Sequence, residues 1–287
     1  MRFTSQKVNK IFGLAYTSTA EMELKTGAAV AQIIIDTRDA GGNATLDADQ
    51  LAMTLELNGD PIVPALTGKE LNYFRKFDDQ VATPGVYILD YFDFKASSIT
   101  GEQEGALLTN GGDNLVMKIT AAAQRLAVAA GSGVDQPVIP VLNVRVKYVD
   151  VVDAKGMRVQ RTAATKVRVM RRKTITTNST GEVEWAVKDG RPLIRRVALV
   201  GDIDHLSVKV SGKDQLDKIS KADLEFDQKM FGRVPQPGVL MFDPGMTGRK
   251  LADRLDAEKL DLEINPWAAS AGSIQVLMDN FETGRGV

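Results

Sequence analysis

Residues 53–90 read MTLELNGDPIVPALTGKELNYFRKFDDQVATPGVYILD, and residues 206–243 read LSVKVSGKDQLDKISKADLEFDQKMFGRVPQPGVLMFD. The two stretches superpose without a gap at a shift of 153 positions. Leu55, Leu57 and Gly59 fall on Val208, Val210 and Gly212, and Leu66 on Ile219. Thr67 and Glu70 fall on Ser220 and Asp223; Leu71, Tyr73, Lys76 and Phe77 fall on Leu224, Phe226, Lys229 and Met230. Pro84-Gly85-Val86 then meets Pro237-Gly238-Val239, and Asp90 meets Asp243. Any two strands share apolar alternation, but not a helix-opening pair, a helix face and a Pro-Gly in the same register. The chain therefore carries a duplication, each copy reading strand, glycine turn, capped helix, Pro-Gly, strand. In Thr67-Gly68-Lys69-Glu70 the threonine oxygen and the glutamate are each placed to satisfy a free backbone N–H of the first helical turn. Farther on, Asn114–Ile119 matches Lys259–Ile264 at a shift of 145, as if one loop had lost eight residues.

Outward from the repeat the pattern stays β. Met53, Leu55 and Leu57 alternate with polar residues, as do Leu142, Val144, Val146 and Tyr148, then Val208 and Val210, then Leu260, Leu262 and Ile264. A period of two with one apolar face is the signature of a half-buried strand. Gly, Pro and Asn-Gly punctuation between such runs predicts sandwiches or barrels. The expected division is an N-terminal arm over 1–26, a first sandwich over 27–150, a basic linker over 151–185 and a second sandwich over 186–287.

Composition narrows the chemistry. Among 287 residues, 44% hydrophobic and 25% charged with a net charge of −1, there is no cysteine and one histidine, His205. That excludes disulfides, thiolate metal sites and cysteine nucleophiles, and leaves His205 as the sole histidine a serine triad could use. His205 follows Gly201-Asp202-Ile203-Asp204 and reads as a polar turn before a strand; as a base it would need a nucleophile and an oxyanion site that no motif supplies. Asp47 with Asp49, Asp78 with Asp79, and Asp90 with Asp93 lack the loop spacing of a calcium motif. They read as solvated turns, with structural Ca2+ between subunits as the alternative and no other cofactor expected. No stretch reaches the roughly 18 apolar residues of a membrane-spanning helix, so a cytoplasmic site of synthesis is expected. From Ala154 to Lys173 there are eight Lys or Arg and no acidic residue. Such cations repel unless a polyanion or buried carboxylates lie opposite. With aromatics at 6%, base stacking is poorly supported, and no specific nucleic-acid recognition is expected.

Leu55-Glu56-Leu57-Asn58-Gly59 and Val208-Lys209-Val210-Ser211-Gly212, the Met170-Arg171-Arg172 of the linker, the strand Ile194 to Val200 and the run Gly248 to Ile264 together resemble a known family. It is the double jelly-roll major capsid proteins of tailless, membrane-containing bacteriophages, of the corticovirus type. The resemblance covers the chain from about residue 50 onward, as pattern more than identity. It implies an all-β chain of two tandem eight-stranded jelly-roll β-sandwiches with short helical inserts. It also implies a non-enzymatic structural protein, a homotrimer of pseudo-hexagonal outline that tiles an icosahedral shell around an internal membrane. The implied partners are other copies of itself, penton and minor capsid or membrane proteins, and lipid on the inner face; the implied location is the virion. In that setting Lys166, Arg168, Arg171, Arg172 and Lys173 are expected to face lipid headgroups or genome. The alternative is a tandem β-sandwich carbohydrate-binding module or glycan-active enzyme, which needs only two carboxylates. Such a protein should expose tryptophan in a groove, and the chain has only Trp185 and Trp267.

Overall fold

The structure is a computed structural model that describes residues 3–9, 11, 15–92, 105–122, 126–128, 135–137, 139–153, 155–187, 193–244, 255–256 and 261–283. The chain divides into two compact units, one comprising Met1–Asn72, Ala82–Val167 and Thr283–Val287, the other Tyr73–Val81 and Arg168–Glu282. Each unit holds two antiparallel sheets.

The first unit is built from β1 (Phe3–Lys7), β2 (Thr19–Leu24), β3 (Ala29–Asp36), β4 (Leu51–Leu57), β5 (Asp60–Thr67), β6 (Val86–Asp90), β7 (Leu115–Ala121), a small β8 (Leu126–Val128) and β9 (Asp135–Pro137) pair, and β10 (Asn143–Val149). Its sheets run β1-β10-β3-β6 and β2-β7-β4-β5. The helix α1 (Gly68–Phe77) follows β5. The second unit contains β11 (Val167–Thr177), β12 (Gly181–Glu182), β13 (Leu193–Val200), β14 (Ile203–Val210), β15 (Lys213–Ser220), the helix α2 (Lys221–Met230), β16 (Val239–Phe242), β17 (Leu255–Asp256), β18 (Leu262–Ala268) and β19 (Gly272–Glu282). Its sheets run β11-β19-β13-β16, with β17 beside β13, and β12-β18-β14-β15. Strand for strand the two orders coincide. Each is the eight-stranded, two-sheet arrangement of a jelly roll, in which consecutive strands alternate between the sheets except at one hairpin, β4–β5 or β14–β15.

The repeat predicted from sequence is reproduced in detail. The β4–β5 and β14–β15 hairpins turn on Asn58-Gly59 and Ser211-Gly212, all four with positive φ. Positive φ at both central residues gives a turn whose twist matches the flanking strands, and glycine adopts it without steric cost. The β4–β5 ladder shifts register between Met53/Leu55 and Leu55/Glu56, and the β14–β15 ladder shifts at the positions 153 later. Both helices close with the same pair of bonds: Asp79 N–H to Lys76 O and Gln80 N–H to Arg75 O in one copy, Gly232 N–H to Lys229 O and Arg233 N–H to Gln228 O in the other. This is the Schellman closure, which satisfies carbonyls the helix end leaves orphaned. The openings differ. Thr67 N–H donates to Glu70 Oε2 at 2.6 Å and Glu70 N–H to Thr67 Oγ1 at 3.2 Å, a complete capping box. In the second copy Asp223 N–H donates to Ser220 Oγ, but the shorter aspartate meets the serine hydroxyl instead of the Ser220 backbone N–H.

The alternating apolar residues form the cores. Ala20, Met22, Met53, Leu55, Leu57, Met117, Ile119, Val144 and Val146 are fully or almost fully buried in the first unit. Ile194, Val197, Leu199, Leu206, Val208, Ile264 and Val276, with Trp185, pack together in the second.

Three expectations differ from what the structure holds. The later repeat match runs at a shift of 147: Leu57 pairs with Leu115 and Val210 with Leu262, and the Asn58 N–H to Asn114 O bond recurs as Ser211 N–H to Asp261 O. A slip of two keeps every side chain on its face, so apolar alternation does not distinguish 145 from 147. The expected arm over 1–26 contains β1 and β2, hydrogen-bonded into the two sheets of the first unit. The expected linker over 151–185 contains β11 and β12, edge strands of the second unit. Of the Gly248 to Ile264 run, 248–254 and 257–260 lie outside the described residues, and Leu255–Asp256 is strand.

Candidate functional site

The basic stretch is where sequence alone placed a site, and its environment decides its chemistry. Arg161, Arg168 and Arg171 each clasp a carboxylate. Arg161, buried, reaches Asp113 through Nε at 3.1 Å and through Nη2, while Asn110 exchanges side-chain bonds with the Arg161 backbone N–H and O. Arg168 makes two parallel bonds to Asp279, Nε to Oδ1 at 2.6 Å and Nη2 to Oδ2 at 2.8 Å; the two side chains are 5% and 0% exposed. Arg171 does the same with Glu282, at 2.8 and 2.6 Å. The planar fork of arginine fits a carboxylate in this way, and two bonds to an ionised acceptor are the strong kind. β19 supplies both carboxylates, and β11 runs beside it as the sheet's edge strand.

Asp279 is the centre of a larger network within the second unit. Arg196 Nη2 and Arg195 Nη1 also reach its Oδ2, at 3.1 and 3.3 Å. Arg196 turns its other nitrogen to Asp78, which also accepts from Arg233; Arg233 in turn lies 3.6 Å from Asp243. Phe74 and Phe77 lie under the guanidinium groups of Arg196 and Arg233, 5.2 and 5.6 Å from ring centre to charge. Burial would raise the Asp279 carboxyl, but the charges of Arg168, Arg195 and Arg196 outweigh it and hold the group far below the usual range. Asp78 is governed the same way: burial pushes up, and Arg196, Arg233 and Arg195 bring it below its ordinary value. At neutral pH these carboxylates are ionised and paired with arginine. They do not form an acid–base pair poised near neutrality, which would need one partner shifted toward pH 7.

The five residues expected to face lipid or genome thus divide. Arg168 is removed from solvent by Asp279, and Arg171 is spent on Glu282, so neither is a cation available to an external polyanion. The compensating charges lie 111 positions away in the chain, which is why the stretch reads as unopposed cation in sequence. Lys173 is half-buried with its ammonium 5.9 Å from the Trp185 ring centre. Lys166 and Arg172 are exposed.

The remaining candidates are placed as follows. His205 lies inside β14, paired with Ser220 and Trp267, and not in a turn; its ring packs edge-on to Trp267 with centroids 6.4 Å apart. Asp78 is occupied by two arginines, Asp90 accepts from the Gln32 amide, and Asp93 lies outside the described residues. Among the described residues no group of three or more His, Asp or Glu is placed to hold a metal ion. Trp185 is a core residue, and Trp267 is covered by the Lys218 ammonium at 5.0 Å. A cavity of 790 Å³ in the first unit is lined by Lys7, Glu21, Glu23, Lys25 and Met22 among others, with Tyr148 the one aromatic among the described lining residues. Neither tryptophan presents the open ring face that a sugar would stack on. Sequence reasoning missed Asp279, Glu282, Arg195 and Arg196; Arg195-Arg196 inside an otherwise apolar strand was the one available signal.

Two jelly rolls in tandem, each with a buried arginine–carboxylate pair of its own, give the fold of the double jelly-roll class. The chain belongs to the viral coat protein P2 family: the profile described as viral coat protein P2 N-terminal domain matches residues 5–132, and that of the C-terminal domain matches residues 167–284. It is thus a structural protein of the virion coat. No curated protein sequence matches it. The fold is similar to that of the major capsid protein P2 from Bacteriophage PM2, with 13% identity, a TM-score of 0.78 and 98% of each chain covered. It is similar also to a chain in the atomic structure of Sulfolobus Turreted Icosahedral Virus, with 10% identity, a TM-score of 0.66, and 99% of this chain and 92% of that one covered. The Faustovirus major capsid protein follows at 8% identity and a TM-score of 0.56, with 99% and 90% covered.

Proposed function

We propose that this chain is the major capsid protein of a tailless virus with an internal membrane. It is made in the host cytoplasm, associates into homotrimers of pseudo-hexagonal outline and tiles an icosahedral shell with penton and minor proteins. The observation that carries the reading is the duplication. Two jelly rolls of identical strand order in one chain give a trimer six similar lobes, so three chains supply a six-sided tile. A non-enzymatic role accords with a network in which every central acid is clasped by arginine. Within the basic stretch, Lys166 and Arg172 are the residues proposed to lie toward anionic headgroups, each near such a surface contributing about 1 kcal/mol. Electron microscopy of the native particle is the test. The expected image is a faceted shell of six-sided capsomers over a bilayer, with Lys166 and Arg172 on the inner side. Capsomers of other symmetry, a shell without a bilayer, or both residues on the outer surface would each remove the corresponding part.

A further inference from the structure

The two helices occupy matching places in the repeat, yet one apolar face is covered and the other is bare. In α1, Tyr73 and Phe77 are 9% and 0% exposed; at the same positions in α2, Phe226 and Met230 are 63% and 70% exposed. Phe231, just past the helix end, is 50% exposed as well. Three large apolar side chains within six residues form a patch of the kind that marks an interaction site.

Arg233 lies over the Phe77 ring, 5.6 Å from its centre. The segment Arg233–Gln236 runs along the C-terminal half of α1: Val234 N–H donates to Phe77 O at 3.0 Å, and the Gln236 amide donates to Tyr73 O at 2.6 Å. That segment has its own counterpart 153 positions earlier, Gln80–Thr83, and there Val81 is 79% exposed. A single chain therefore shows an uncovered copy of each half of this contact, the helix face and the covering segment. The chemistry of the uncovered halves is matched. Where α1 ends in Asp78 and is met by Arg233 and Arg196, α2 ends in Phe231, and the corresponding positions are the uncharged Gln80 and Gln32. The ionic clasp has been replaced at all three positions together. The Asp243 counterpart, Asp90, remains and accepts from Gln32, so the uncovered helix face is left opposite a segment without the arginine clasp.

We propose that α2 docks on the Gln80–Thr83 segment of a second copy of this chain, Met230 against Val81 and Phe226 against Thr83. The contact repeats between chains what Phe77 and Tyr73 make with Val234 and Gln236 within one. It joins unlike surfaces, so each chain offers one of each and the association runs head to tail until it closes. Phe226 is its central anchor, since large rings desolvated at the middle of an interface carry most of the binding energy. The inference rests on the self-association set out under Proposed function and assigns its surface.

The absence of cysteine makes the test direct. The double variant Val81→Cys, Met230→Cys, treated with a short bis-maleimide, is expected to give a covalent ladder ending at three chains. Either single variant should give no ladder. Phe226→Asp with Met230→Asp, both on solvent in one chain, should keep the wild-type circular dichroism and melt while the light-scattering mass falls to the 31.1 kDa of one chain. A wild-type trimer with no ladder, or a trimer that survives the aspartates, overturns this surface and leaves the trimer standing. A wild type that is itself monomeric at micromolar concentration overturns the trimer and the docking together.

Discussion

Gly68 is the first residue of α1, and a Cβ there would stand 2.5 Å from two ring carbons of Tyr87. Tyr87 has no room to yield. It is 2% exposed and its hydroxyl donates to Leu46 O at 2.9 Å. In the second copy the same two positions hold Lys221 and Leu240, a side chain at the helix start facing a smaller residue on the strand. Alanine is the better helix former by about 1 kcal/mol, yet Gly68→Ala is expected to destabilise the first unit by about 1–3 kcal/mol, because overpacking a filled site outweighs propensity. Thermal unfolding followed by circular dichroism measures it. Combining the change with Tyr87→Leu should recover part of the loss, whereas simple additivity of the two would refute the steric account.

At the scale of the element, β11 and β19 are joined by ionised pairs that are almost fully out of water. Because Asp279 titrates below its ordinary value of about 3.9, the second unit should hold its stability from neutral pH down to about that value and lose it as the pH falls further. The unfolded chain takes up the proton first, and that uptake draws the equilibrium toward unfolding. Both tryptophans belong to the second unit, so their fluorescence reports this unit alone. Asp279→Asn leaves three arginines around a neutral amide and is expected to cost about 3–5 kcal/mol near neutrality. It should also make the acid-side slope shallower. An unchanged urea midpoint would count against the network. The same strands show where sequence reading stops. Turn residues, helix caps and apolar alternation are local, so the repeat, both helices and strands such as β4, β10, β14 and β18 were legible. β1 was not, because all five of its side chains are exposed and leave no alternation. Of β11 only the start was legible, where Lys166 and Arg168 alternate with Val167 and Val169; its cations read as solvated until β19 is laid beside them.

For the whole molecule, the duplication was legible but the borders of its copies were not. Hydrophobic pattern marks where strands lie and says little about which sandwich an edge strand or a helix end joins. Tyr73–Val81 illustrates this: it follows directly on the first copy's helix start, yet its residues are grouped with the second unit. A fragment ending at residue 167 should therefore carry Phe74 and Phe77 without Arg196 and Arg233, their ring-covering partners. It is expected to bind a hydrophobic dye and to aggregate at concentrations where the full chain is clear. A monodisperse, dye-silent fragment would show that the first copy covers this helix end by itself.

The same arrangement sets a clock during synthesis. Arg233 follows Phe77 by 156 positions, which a ribosome covers in roughly 10–30 s at ~5–20 residues per second. Throughout that interval the end of α1 waits for arginines not yet made. Until they emerge, Phe74 and Phe77 lack the guanidinium groups that cover them. The first copy's helix is therefore finished on a schedule set by synthesis of the second copy.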